Sequence, residues 1–122
     1  MIDIVIDNDR VEVGEILSGR CITKPPQDDY NRFILIVDWK TIGDGDSDGE
    51  TILSKKSKSL SDFNFFTCRI PNLGPVSHNG VILKIVWTIK ICGEGFLGQK
   101  PLETRTFKVI PKHLHQKNNV LS

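Results

Sequence analysis

Four acids in one short stretch carry the strongest chemical signal in this sequence: Asp44, Asp46, Asp48 and Glu50, interleaved with Gly45, Ser47 and Gly49. Aspartates at alternate positions of a tight loop can turn their carboxylate oxygens inward, as a hard cation such as Ca2+ requires. In a helix-flanked calcium loop the twelfth position, counted from Asp44, must supply a bidentate Glu, and here it is Lys55. No helical pattern flanks the stretch. Calcium would therefore have to be held in a non-helical loop with Glu50 as an added ligand, and an acidic, solvated hairpin accounts for the same residues.

A nucleophile and a base stand side by side at Ser77-His78, with Asp38 or Asp62 as a conceivable third member of a hydrolase triad. Neighbours on an extended chain point to opposite sides, which works against the hydrogen bond that activates a serine, and there is no Gly-x-Ser-x-Gly elbow. A turn explains the pair more simply. His113 and His115 could approach a transition metal together, yet no third ligand lies near them, and Lys112 and Lys117 mark a solvated tail. Lys55, Lys56 and Lys58, with Lys112 and Lys117, could form a basic patch. The aromatics beside that run, Phe63, Phe65 and Phe66, must partly serve the core, so a base-stacking platform is not indicated. Phe96 and Leu97 lie between Gly95 and Gly98. They read either as an exposed contact for a protein partner or as a loop tucked over the open end of the domain.

The segments that must position these residues have the two-residue alternation of β-strands. In Gly80 to Cys92 the odd positions Leu83, Ile85, Trp87, Ile89 and Ile91 are all apolar and the even ones are mixed, as in an antiparallel strand with one face on a core. Ile2, Ile4 and Ile6 predict a short edge strand. Leu17, Gly19, Cys21 and Thr23 predict a second strand, ended by Pro25-Pro26. Phe33, Leu35, Val37 and Trp39 predict a third, whose partly apolar outer side (Ile34, Ile36) marks it as central or covered. Thr51 to Leu60 reads as a poorly buried strand whose lysines discourage edge pairing. Phe63 to Ile70 and Leu102 to Ile110 complete the set, joined by loops at 42–50, 72–79 and 93–101. Trp39 and Trp87 are expected to face the core, each indole N–H finding a backbone acceptor. No 3.6-residue period appears, and short strands at regular spacing predict a sandwich.

Composition narrows the setting. With 122 residues, 39% apolar, 25% charged and a formal net charge of +1, the chain suits one domain with a single core and has no bulk attraction to nucleic acid or anionic membrane. The domain is placed at 1–110 and a polar tail at 111–122. Cys21, Cys68 and Cys92 are odd in number, lie in apolar strands and lack metal spacing, so they read as buried thiols of a reducing compartment. An acid at Asp3 where a signal peptide needs a basic start, and the want of an 18-residue apolar run, predict a cytoplasmic protein with no membrane insertion.

Taken in order, four pieces resemble an arrestin-like domain, particularly the small bacterial arrestin-like proteins. They are Gly14-Glu15 with Leu17-x-Gly19-x-Cys21, then Leu35-x-Val37-x-Trp39 running into Gly43-x-Gly45-Asp46-x-Asp48, then Phe66-x-Cys68-x-Ile70-Pro71, then Pro75-x-Ser77-x-Asn79-Gly80 with Leu83-x-Ile85-x-Trp87. They span most of residues 11 to 92. The resemblance implies an all-β, immunoglobulin-like two-sheet antiparallel sandwich of the arrestin type, without catalytic activity, with roles in protein binding, trafficking or regulation. His78 stands where the family commonly has a tyrosine, and the chain has room for one such domain where eukaryotic arrestins carry two.

Residues and resemblance together give a non-enzymatic protein-binding, scaffold or regulatory module. It would act through the loops at 42–50 and 93–99 or through a strand edge, on an unidentified protein partner. A calcium-dependent module built on Asp44, Asp46, Asp48 and Glu50 is the alternative, with a small hydrolase behind it. Homodimerisation by edge pairing stays open.

Overall fold

A computed structural model of the chain describes residues 2–23, 30–43, 48–72, 75–79, 83–96 and 98–112. Nearly all of these are in strands: β1 (Ile2–Ile6), β2 (Arg10–Glu12), β3 (Ile16–Thr23), β4 (Arg32–Gly43), β5 (Gly49–Ser57), β6 (Phe66–Arg69), β7 (His78–Asn79), β8 (Leu83–Gly95) and β9 (Gly98–Ile110). They form two sheets. One is β1-β3-β6; the other runs β2-β9-β8-β4-β5, with β7 paired to β8. Every pairing is antiparallel except that of β2 with β9. Among the described residues no helix is long and apolar enough to cross a membrane.

Alternation decides what each strand buries. Leu35 pairs with Ile91, Val37 with Ile89 and Trp87 with Phe107, so these side chains share the inner face of the large sheet. All are buried, as are Ile4, Ile6, Leu17, Cys21, Phe66 and Cys68 of the small sheet, and the two sets make one cluster. β4 lies between β5 and β8, in keeping with its apolar outer side: Ile34 and Cys92 face each other there, each 3% exposed. Outside the core set, Asp38 accepts a hydrogen bond from Thr88 and forms an ion pair with Lys90 at 3.3 Å.

Two glycines let the layers close. Gly19 pairs with both Ile6 and Phe66, and the Phe66 ring lies where a side chain at 19 would be. Gly93 is bare so that the Tyr30 ring can sit against its backbone, edge-on to Phe33 at 6.0 Å.

Several sequence expectations need correction. The strand expected over Phe63 to Ile70 is only Phe66–Arg69, because Ser59 accepts from the Ser61 N–H and caps a 3-10 turn, Leu60–Phe63, that buries Leu60 and Phe63. The polar strand expected at Thr51 to Leu60 begins and ends earlier, at Gly49–Ser57, although it is an edge as foreseen. The glycine-rich loop expected at 93–101 is mostly strand: Glu94 pairs with Gln99 and Gly95 with Gly98, which puts Phe96 at the hairpin tip. Pro101 fits in β9 because it opposes Cys92 where the register slips, at an irregularity that relieves its missing N–H. The indole of Trp87 donates to Pro75 O at 2.9 Å, as expected, but Trp39 is only half-buried and its Nε1 has no partner. Trp39 sits directly opposite Trp87 in the β4–β8 pairing, and of these two identical side chains only Trp87 is fully buried.

Candidate functional site

The acidic stretch reaches the described residues only at its end, since Asp44 and Asp46 lie outside them. Asp48 is tied to the β4 end: Thr41 N–H donates to Asp48 O at 2.8 Å and Asp48 N–H donates to Thr41 Oγ1 at 2.8 Å. The Asp48 carboxylate accepts from the adjacent Gly49 N–H at 2.8 Å, a local turn contact. Glu50 is exposed and pairs with Trp39 across the strands. No group of three or more His, Cys, Asp or Glu among the described residues could hold a metal ion.

The serine and histidine considered for hydrolysis are positioned by the split between β8 and β9. Ser77 N–H donates to Val109 O at 2.7 Å, and Ser77 Oγ accepts from Val109 N–H at 2.9 Å, so the hydroxyl serves the sheet. His78 pairs with Ile85 and is exposed. Asp38 is engaged by Thr88 and Lys90, and Asp62 accepts from Ser57 Oγ. The fold thus directs the hydroxyl and the two carboxylates to separate neighbours. His113, His115 and Lys117 fall outside the described residues. The three cysteines are free and buried. Burial, with the Asp3 charge adding to it, pushes the Cys21 thiol up to about 11, and burial likewise raises Cys68, so both are thiols rather than thiolates at neutral pH.

The lysines Lys55, Lys56 and Lys58 are exposed on or just after β5, the longest sheet edge, at the side of the large sheet away from β8. That edge is blunted. Between Val37 and Asp38 the register slips so that Ile52 has no partner on β4, and a bulge together with lysines disfavours addition of another strand. The β1 edge is occupied differently: Arg105 Nη1 donates to Ile4 O at 2.9 Å across the two sheets.

The feature that stands free is the β8–β9 tip. β8 and β9 are paired from Trp87–Phe107 down to Gly95–Gly98, so the tip is carried on a long ladder. Its base is fixed to β4 by the Arg32–Glu94 ion pair at 3.4 Å, by Asn31 N–H donating to Glu94 O at 2.8 Å, and by Tyr30 against Gly93. Phe96 at the tip is 99% exposed. Held almost fully in water at the end of a braced hairpin, this side chain gains no burial from its own domain. Leu97 lies outside the described residues. No protein-family model matches the chain, and no curated protein matches it.

Proposed function

We propose that this chain is a non-enzymatic protein-binding or scaffold module that meets its partner through the β8–β9 hairpin tip, with Phe96 as the anchoring side chain. The complete exposure of Phe96 on a braced ladder carries the reading. Burying one phenylalanine in a partner's pocket removes about 150–250 Å2 of surface from water, enough for an anchor around which a polar rim closes. Rigid support means that little ordering entropy is lost when the partner arrives.

The scaffold fits an immunoglobulin-like sandwich of the arrestin type. The small sheet β1-β3-β6 corresponds to an A-B-E order, and β9-β8-β4-β5 to G-F-C-C′, with a short early strand, β2, lying parallel to the last. The inter-sheet disulfide of antibody domains has no counterpart: Cys21 on β3 faces the core, whereas Cys92 on β8 points to the outer face. Loop-borne contacts on such a scaffold are the usual arrangement, and the two ends of the sandwich present them.

A photo-crosslinking amino acid placed at position 96 tests this in the source cell. Irradiation is expected to yield discrete protein adducts from position 96 and none from position 22, an exposed isoleucine on β3. Equal adducts from both positions, or none from 96, would overturn the assignment of the tip.

A further inference from the structure

The strand order of each sheet ends in two edges, and three of the four are blunted or taken up. β5 is bulged and carries lysines, and on β1 the outward Ile4 O is held by Arg105. On β2 local partners fill the outward groups: Arg10 N–H donates to Asn8 Oδ1 at 3.1 Å, Glu12 N–H to Glu15 Oε1 at 2.8 Å, and Glu15 N–H to Glu12 O at 3.0 Å. The fourth edge is β6. Ile70 N–H donates to Glu15 O at 2.8 Å on the β3 side, so by the alternation of an antiparallel ladder the N–H and C=O of Thr67 and Arg69 point away from β3. Thr67 N–H, Thr67 O and Arg69 N–H have no hydrogen-bond partner among the described residues, and Arg69 O meets only Cys68 Sγ, at 3.8 Å. β6 has none of the lysines, prolines or register slips that deter a further strand. Its solvent side is partly apolar: Phe65, just before the strand, is 64% exposed, and Ile16, the β3 partner of Arg69, is 51% exposed.

We propose that β6 pairs antiparallel with β6 of a second copy of this chain, about a two-fold axis at Thr67, joining the two small sheets into one. The proposal does not depend on Phe96. An axis at Thr67 pairs residues 65–69 throughout, whereas a centre one residue to either side brings in Phe63 of the 3-10 turn or Pro71. It sets Thr67 against Thr67, a favourable cross-strand pair, Phe66 against Cys68, and Phe65 against Arg69 of the other copy. In that row Ile16 follows Arg69, so the exposed ring of one copy points along the Arg69 stem toward the exposed isoleucine of the other. The Arg69 guanidinium is held toward Gly14, whose carbonyl accepts from Nη1 at 2.7 Å, and this leaves the stem beside the ring. No like charges oppose each other. Arg69 is the only charged residue in 65–69, and its two copies stand at opposite ends of the ladder, roughly 13 Å apart along the strand and beyond the screening length. The edge is thus compatible with itself, and because the same surface is used on both sides the association stops at the dimer.

So short an edge makes a contact below about 1,200 Å2, in the range of weak associations, and dimers are expected at protein concentrations on the order of 100 micromolar and above. Sedimentation equilibrium of the purified chain should give a weight-average mass that rises with concentration and levels at the dimer. Thr67→Lys sets two ammonium groups face to face on the axis; position 67 is exposed in the monomer, so the variant should be monomeric with an unchanged melting curve. Phe65→Ser should raise the dissociation constant about tenfold or more, because each dimer loses two rings. Phe96→Ser should dimerise as the wild type does. Thr67→Cys should form a covalent dimer on mild oxidation, since residues facing each other on paired strands lie within disulfide reach, while Thr51→Cys, at an exposed position on β5, should not; the chain's own cysteines are buried. A wild type that stays monomeric at millimolar concentration, a folded T67K or F65S that dimerises as well as the wild type, dimers lost in F96S, or T51C cross-linking as readily as T67C would each overturn the proposal. A photo-crosslinker at position 67 that captures only other proteins in the source cell would give the edge to a foreign strand and overturn it too. None of these results bears on the hairpin tip, whose adducts are read at position 96.

Discussion

Replacing Gly19 by alanine probes how closely the small sheet is built. A methyl group at that position would lie 2.4 Å from Val5 O, 2.8 Å from Phe66 Cζ and 3.0 Å from Ile6 Cα, where ordinary contact begins at 3.4 Å. The carbonyl belongs to the β1 backbone and cannot rotate aside, so β1 must move from β3 and stretch the ladder that joins them. Alanine gains about 0.5–1 kcal/mol by restricting the unfolded chain. Overpacking a well-filled site costs about 1–3 kcal/mol, and two simultaneous overlaps, one of them with backbone, put this case at the upper end. The net loss is about 2 kcal/mol, or roughly 6–12 °C in melting temperature for a chain of this length. Urea unfolding followed by tryptophan fluorescence measures it, with an unchanged slope showing that only stability moved. Adding Phe66→Leu should recover only part of the loss, since the carbonyl overlap persists. A G19A variant as stable as the wild type, or more so, would refute the packing argument.

The two tryptophans should separate sharply. Trp87→Phe strands the Pro75 carbonyl and removes its hydrogen bond, costing about 1–3 kcal/mol, whereas Trp39→Phe removes a donor that has no partner and should be near neutral by the same unfolding assay. Gly93→Ala should expel the Tyr30 ring, whose atoms lie 2.6–2.8 Å from the added methyl, and lower the melting temperature by several degrees. Because burial raises Cys21 from 9.0 to about 11 in the folded chain, its contribution to stability is fully present below pH 9 and is lost as pH rises through 11. The decline in stability between pH 9 and 11 should therefore be shallower in Cys21→Ala than in the wild type.

The inner faces were legible because strand alternation is local. Phe33, Leu35 and Val37, or Ile89 and Ile91, announce their shared side without reference to the rest of the chain, and all are buried. β2 was not legible: three residues are too few to show a period, and its parallel partner on β9 is nearly a hundred positions away. Gly93 misled for a physical reason. Glycine signals a turn when it supplies backbone freedom, but here it supplies the space that Tyr30 occupies. The same is true of Pro101, which breaks a regular strand yet is accepted where the register slips. Of the candidate contact residues, Phe96 could be read from an apolar residue placed beside glycine.

Capture experiments with the intact chain address the hairpin tip most directly. Wild type and F96S, matched in melting temperature, are immobilised and exposed to an extract of the source cell with purified chain added as a competitor. If Phe96 anchors the contact, other protein species retained by the wild type should be lost with F96S and displaced by free wild type. Retention unchanged by F96S would contradict it.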